Sequence, residues 1–481
     1  MKNDDGATPT RTSRLRAAAS AFVWIAALLW GVAAACFRPP PLVVLLAIPT
    51  IGAALWWSSR RRAAGAPIAV MITLGALAIL RPHRTGEGFG RLFVDQTYHH
   101  QALRALNHIA AQGADVSEVL ETTALVRAGD AQGWYTAWTA LGDRNLARAQ
   151  ATKDPQSRGQ ALLRAHTYYL RAEFFLPPQD PRRPDSFARN TKAFYEGLDT
   201  LGIPYEKFPI PFGAHHLNAV YYPAVASAHR PLVVFCGGYD STMEELYFFL
   251  AAAARARGYA VLTFEGPGQG SVLREQGLPF THEWEKPTSA VLDTFLDTHA
   301  RPDKIVLVGL SLGGYLAPRA AAFDDRFDGV VSYDAFFDVG AVARKDAAIA
   351  YTLRSVGLES WVEGLAALKS AVDPGFGWSL ANGRWTLGKS KPLDVADTLA
   401  QYTLENVAVR IRQDVLMFAG VDDQFIPLEQ LEQYKGALVN ARSVTAKVYD
   451  RTSGGAEHSQ LGASTLWQAD FFDWMEEKFG R

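Results

Sequence analysis

Residues 305–314 read Ile305-Val306-Leu307-Val308-Gly309-Leu310-Ser311-Leu312-Gly313-Gly314, and Tyr315-Leu316-Ala317 follow. Four consecutive aliphatic residues predict a strand buried on both faces, and the residues after Gly313 favour a helix. Between them lies Gly-x-Ser-x-Gly, whose small residues let the backbone turn tightly and hold Ser311 exposed at a helix amino terminus. The pentapeptide alone is weak, because this chain has 40 glycines in 481 residues. The strand before it and the helix after it give it meaning.

The same rhythm extends outward. Short aliphatic runs at Leu232–Phe235, Ala260–Phe264, Val330–Tyr333, Val415–Phe418 and Ala446–Tyr449 alternate with helical stretches. That alternation predicts an α/β fold: a mainly parallel sheet covered by helices on both faces. Residues 206–481 form the expected catalytic domain, interrupted at about 340–408 by a mostly helical insertion of a size suited to a lid. Residues 93–205 read as a helical cap region. Its apolar positions Leu103, Leu106, Ile109, Val116, Leu120 and Leu125 have helical spacing, and Trp134, Tyr135, Trp138, Tyr168, Tyr169, Phe174 and Phe175 read as its core.

A serine hydroxyl is a poor nucleophile at neutral pH, so a base must take its proton and a third group must orient that base. In this strand–turn–helix context the chain order is Ser, acid, His. His458 is the only histidine after His299 and lies in the glycine-containing loop that follows the last strand. Asp423 stands in Gly420-Val421-Asp422-Asp423-Gln424-Phe425-Ile426-Pro427, just past a strand. Asp422 beside it and Asp334, at the end of the preceding strand, are rivals for the same role.

An oxyanion needs N–H donors: one after the nucleophile, from Leu312, and one from an earlier loop, here Gly237-Gly238-Tyr239-Asp240, with Tyr239 favoured. Asp240 reads as a helix cap before the capping boxes Ser241-x-x-Glu244 and Thr242-x-x-Glu245, and as a candidate substrate-facing residue. Gly266-Pro267-Gly268-Gln269-Gly270 lacks the Gly-Lys-Ser/Thr ending of a nucleotide loop and reads as a turn bordering the site. The pairs His99-His100 and His215-His216 lack metal-ligand spacing, and Cys36 and Cys236 supply neither a disulfide framework nor a zinc cluster. No metal and no cofactor are expected.

On the segments Gly237–Glu245, Phe264–Gly270, Gly309–Gly314 and Glu457-His458, the chain resembles the α/β-hydrolase superfamily. Within it, the similarity is to the cap-bearing group of 2,6-dihydropseudooxynicotine hydrolase and related esterase-like enzymes, over roughly residues 125–478. The resemblance implies catalytic Ser311, Asp423 and His458, no metal or organic cofactor, and a helical region covering the site. Group members cleave esters or carbon–carbon bonds next to a ketone, and some transfer acyl groups. Where the namesake has Glu beside the oxyanion turn, this chain has the shorter Asp240. The expected function is a serine hydrolase acting on a small to medium, fairly apolar ester or ketone. An acyltransferase on the same fold, or a membrane scaffold with a retired site, are the alternatives.

With 48% apolar and 20% charged residues the chain can bury a large core, which excludes a disordered or fibrous protein. The net charge of −1 conceals an asymmetry: residues 1–92 carry eleven Lys and Arg against three acidic residues, leaving −9 for the rest. The basic part is also apolar, which favours a membrane over nucleic acid as partner. Residues 17–37 are uncharged for about 30 Å of helix, and 39–59 and 66–80 are further candidate spans. Residues 1–92 are therefore expected to anchor the chain as a multi-pass membrane protein with a cytoplasmic amino terminus, and with the catalytic domain outside the cytoplasm if the third segment spans.

Overall fold

The computed structural model describes residues 91–225 and 230–480. Its first part is helical: α1 Gln96–Asn107, α2 Val116–Ala124, α3 Ala131–Ala151, α4 Pro155–Ala172 and α5 Arg183–Thr200. Four of these helices begin at an aspartate whose carboxylate accepts the otherwise unpaired N–H groups of the first turn. Asp95 takes Thr97 and Tyr98, Asp115 takes Ser117, Asp130 takes Gly133, and Asp154 takes Ser157. The expected aromatic core is present. Trp134, Trp138, Tyr168 and Phe175 are buried together with Phe93 and Tyr98, and Tyr98 stacks on Phe175 with centroids 3.9 Å apart. Part of the apolar spacing misleads, since Val116, Leu120 and Leu125 are exposed at 51%, 41% and 77%. Only Val119, Thr122 and Thr123 of α2 are buried, so α2 touches the core along a narrow stripe.

Eight strands follow: β1 Glu206–Phe212, β2 His215–Tyr222, β3 Leu232–Cys236, β4 Val261–Glu265, β5 Ile305–Leu310, β6 Gly329–Tyr333, β7 Asp414–Gly420 and β8 Ser443–Tyr449. They form one sheet in the order β1-β2-β4-β3-β5-β6-β7-β8. All pairings from β4 to β8 are parallel, while the hairpin β1–β2 joins β4 antiparallel. The sheet is thus mixed, with an antiparallel edge. In β3, Leu232, Val234 and Cys236 face one core cluster and Val233 and Phe235 the other. Burial on both faces is why such strands are continuously apolar rather than alternating. One face is covered by α6 Glu285–Thr298 and α7 Gly313–Ala321. The other is covered by α8 Ser464–Phe479 and by Leu103, Leu163, Phe194 and Leu198 from α1, α4 and α5.

Between β6 and β7 the chain makes helices Val339–Asp346, Ala348–Ser355, Ser360–Val372, Pro374–Thr386 and Pro392–Leu399. The two ends of this insertion meet. Asp338 bridges Thr403, the Val339 N–H donates to the Tyr402 carbonyl at 2.9 Å and the Leu404 N–H to Phe337 at 2.8 Å. Gln430 fastens the same point by accepting the Phe337 and Asp338 N–H groups.

The expectation of a multi-pass membrane protein is corrected: among the described residues no helix is long and apolar enough to cross a membrane. The longest, α3, has 21 residues but carries Asp143, Arg144 and Arg148. The segments 17–37, 39–59 and 66–80 lie outside the described residues.

Candidate active site

Ser311 leaves β5 with φ of +60°, in the left-handed region that a non-glycine residue enters only when its surroundings impose it. The imposition is steric. A Cβ on Gly309 would stand 1.9 Å from the Gly313 carbonyl oxygen, and one on Gly314 would stand 1.6 Å from the Asp334 carbonyl oxygen. The Ser311 N–H donates to the Tyr333 carbonyl at 2.5 Å, which ties the turn to β6. Ser311 is therefore set at the amino end of α7, with its side chain free to meet partners from other loops.

His458 is one of those partners. Its Nε2 lies 2.8 Å from Ser311 Oγ, and its Nδ1 lies 2.7 Å from Asp423 Oδ2. Asp423 Oδ1 is occupied by the N–H groups of Phe425 and Ile426, so the carboxylate has one orientation. Asp422 turns away and pairs with Arg451. Asp334 does not: its Oδ2 stands 3.2 Å from His458 Nδ1 and also accepts the Ser459 N–H and hydroxyl, while its Oδ1 accepts Gln460 Nε2. Of the three aspartates read from the sequence, two reach the imidazole.

The side chains of His458, Asp423 and Asp334 are all nearly buried. Burial opposes the charge on His458, but Asp423 and Asp334 outweigh it and raise the imidazole to about 9. Burial pushes the Asp334 carboxyl above the usual carboxylate range. Ligand atoms of these three side chains lie within 4.8 Å of one another, the spacing a metal would need. The carboxylate oxygens, however, already accept N–H and O–H donors, which suits a proton relay better than a coordination sphere.

The turn at Gly237–Asp240 lies against the elbow: a Cβ on Gly238 would be 2.8 Å from Ser311 Cβ and 3.0 Å from Leu312 N. Gln269, from the Gly266–Gly270 turn, donates to the carbonyls of Gly237 and Gly238 at 2.8 and 2.9 Å and accepts the Gly266 N–H. That turn does border the site, as a clamp on its neighbour. Asp240 is not a helix cap. It accepts Arg104 Nη1 at 2.8 Å, and its side chain remains 25% exposed, enough to face a substrate. The capping boxes are likewise redirected. The Glu245 N–H reaches Thr242 Oγ1 only at 3.4 Å, and the Glu245 carboxylate binds Arg104 and Arg171 instead.

Sequence reasoning missed this buried cluster. Glu245 is fully buried and accepts from Arg104 Nε and Arg171 Nη2, both at 2.7 Å, with His108 Nε2 at 3.4 Å. Burial opposes the Glu245 charge, yet Arg104 and Arg171 hold its carboxyl well below the usual range. It also missed His100, which stands edge-on to Phe425 and 5.7 Å from the His458 ring and takes Gln424 Nε2 on Nδ1. Burial, with His458 and Arg104 close by, pushes His100 well below the ordinary imidazole range. One signal was available: His100, Arg104 and His108 recur every four residues and so share a face of α1 and its continuation. His215 and His216 are exposed.

A sheet of this order, with a serine elbow after β5 and a histidine after the last strand, is the architecture of the α/β hydrolases, and the chain belongs to that superfamily. Residues 232–452 match the α/β hydrolase family and residues 101–337 the FrsA-like esterases. Hydrolase acrC of Aspergillus aculeatus is 33% identical over 431 residues, spanning 81% of this chain and 98% of that protein. The 20-hydroxy-prefusarin hydrolase FUS2 of Gibberella moniliformis is 30% identical over 419 residues, with the same coverage. Among solved structures, that of 2,6-dihydroxy-pseudo-oxynicotine hydrolase superposes with a TM-score of 0.60 over 78% of this chain and 95% of that one, at 20% identity. The protein is a hydrolase, which removes the scaffold alternative.

Proposed function

We propose that this protein is a serine hydrolase that cleaves a small to medium, largely apolar ester, or a carbon–carbon bond beside a ketone, through an acyl-enzyme. The observation that carries the reading is the unbroken chain from Ser311 Oγ through His458 to Asp423. Ser311 attacks the carbonyl as His458 Nε2 takes its proton, Asp423 holds the Nδ1–H and stabilises the imidazolium, and His458 returns the proton to the leaving group. Water, activated by the same imidazole, then releases the acid. The N–H groups of Leu312 and Tyr239 are the proposed oxyanion donors, Leu312 because it opens α7 and Tyr239 because its turn abuts the elbow. Residues 93–205 act as the cap of a catalytic domain spanning 206–481, and the insertion at 340–408 as a lid.

The test is a fluorophosphonate probe applied to the wild type, Ser311→Ala and His458→Ala proteins, followed by product analysis with and without an added alcohol acceptor. Labelling of the wild type alone is expected, with the free acid as product. Equal labelling of Ser311→Ala would sink the assignment.

A further inference from the structure

Beside the Tyr239–Asp240 turn the amino-terminal helices, the inserted helices and the catalytic loops enclose a cavity of about 30 Å³. That is more than the 10–15 Å³ one water needs. Its charged lining is Arg171, Arg183, Arg274, Glu173 and Asp240. Asp240 is paired with Arg104, and Glu173 is shared between Arg274 and, at 3.9 Å, Arg183. One positive charge is in excess. Four donors here have no hydrogen-bond partner among the described residues: the Nε of Arg171, Arg183 and Arg274, and Asn382 Nδ2. A single acceptor, Glu173 Oε2, is in the same condition. Unpaired buried donors are costly, and the imbalance is of donors and of positive charge together.

Aromatic rings share in holding these cations. Trp385 packs on the guanidinium groups of Arg183 and Arg274, and Trp378 stacks on Phe174 with centroids 4.5 Å apart. Burial lowers Arg171 and Arg183 to about 10, although Glu245 and Glu173 respectively act to raise them. The cavity also borders the turn that abuts Ser311. Tyr239 and Asp240 line it, Gly238 before them abuts Ser311, and the Asp240 charge acts on His458.

We infer that this cavity is a subsite for a carboxylate on the substrate, so that the preferred substrate is an ester, or ketone, with an apolar middle and an acidic far end. The inference rests on the assignment of Ser311 as nucleophile. The guanidinium groups of Arg171, Arg183 and Arg274 belong to the lining of one small space, and charge-assisted bonds from such groups to a carboxylate are the strong ones.

Two probes separate the readings. The first compares p-nitrophenyl hydrogen glutarate with neutral p-nitrophenyl valerate in the wild type, Arg183→Gln and Asn382→Leu proteins. The wild type is expected to show a KM about tenfold lower for the acidic ester. In both variants the ratio of the two KM values moves toward one. Asn382→Leu removes an unpaired donor without removing a charge, so it should keep its melting temperature and serves if Arg183→Gln does not fold. The second probe titrates the Ser311→Ala protein with glutarate and with glutaramide, following tryptophan fluorescence near Trp378 and Trp385. Binding of glutarate alone is expected. Turnover without acid preference, or no discrimination between glutarate and glutaramide, overturns the subsite. Glutarate binding with no turnover of either ester leaves the subsite standing and overturns the nucleophile assignment instead.

Discussion

Around Ser311 the fold is held by backbone pressed against backbone, with Gly309 against Gly313 and Gly314 against Asp334. Around Glu245 it is held by charge, with two guanidinium groups closing on one carboxylate from helices 141 and 74 residues away in the chain. Both regions flank the Gly237–Asp240 turn, the first through Gly238 and the second through Asp240. The first shapes the proposed nucleophile through its glycines rather than through the serine hydroxyl. The second joins the amino-terminal helices to the catalytic loops, and losing either partner strands the other's charge in a place water does not reach.

That contrast orders the expected effects. Ser311→Ala should lower ester turnover by roughly 10⁴–10⁶-fold while leaving the melting temperature unchanged. A large loss of stability would show that the elbow depends on the hydroxyl as well as on its glycines. Asp423→Asn should cost about 10⁴-fold in kcat, because an amide donates where a carboxylate must accept; a loss below about tenfold would hand the orienting role to Asp334. Glu245→Gln should destabilise the fold by about 3–5 kcal/mol in urea unfolding, since it leaves two buried guanidinium groups facing a neutral amide. A change below about 1 kcal/mol would mean that the junction is solvated and the contrast false.

The pH dependence sharpens the distinction between the two aspartates. A base must be neutral to act, and His458 sits at about 9, so kcat/KM should rise with pH through that value rather than through the ordinary histidine range of about 6.5. Asp334→Asn removes one of the charges that hold the proton on His458, so the rising limb should move to lower pH, with kcat on the plateau largely retained. An unmoved limb would reduce Asp334 to an anchor of the Ser459 loop. The sign for stability is the reverse. The imidazolium stabilises the fold fully below its unfolded value of about 6.5, and the contribution is lost as pH rises through about 9. Asp422→Asn is the smallest change: facing Arg451 at the surface, it should alter activity by less than about twofold.

What could be read from the sequence follows the same division. Ser311 stands out because it sits directly after an aliphatic run, and Asp423 and His458 because each lies in the loop that follows a later strand. The sheet was legible for the same reason, except for β1 and β2, whose residues alternate as an edge hairpin does. Arg171 and Glu245 left no local trace of their pairing, and Arg104 only its four-residue spacing from His100 and His108, because an arginine on an amphipathic helix looks like a solvated one until its partner is known. The exposed Val116, Leu120 and Leu125 fail in the opposite way, since helical spacing says which residues share a face and not what that face meets. Asp334 was visible as a rival to Asp423. That both would face one imidazole was not, because it depends on how β6 and the His458 loop come together.

The pinched neck at Asp338–Thr403 separates the 340–408 insertion from the sheet in a way that bears on ancestry. Since its ends are already joined by a bridge and by Gln430, the helices beyond the neck can be lengthened, shortened or replaced at a cost that grows only slowly with length. What a replacement would have to remake is the packing on the sheet, where Leu387 and Val395 join the core and Thr386 accepts the Phe280 N–H. Natural variation can thus rewrite what the enzyme accepts by swapping a cassette at one junction, and a laboratory graft should cut at the same place.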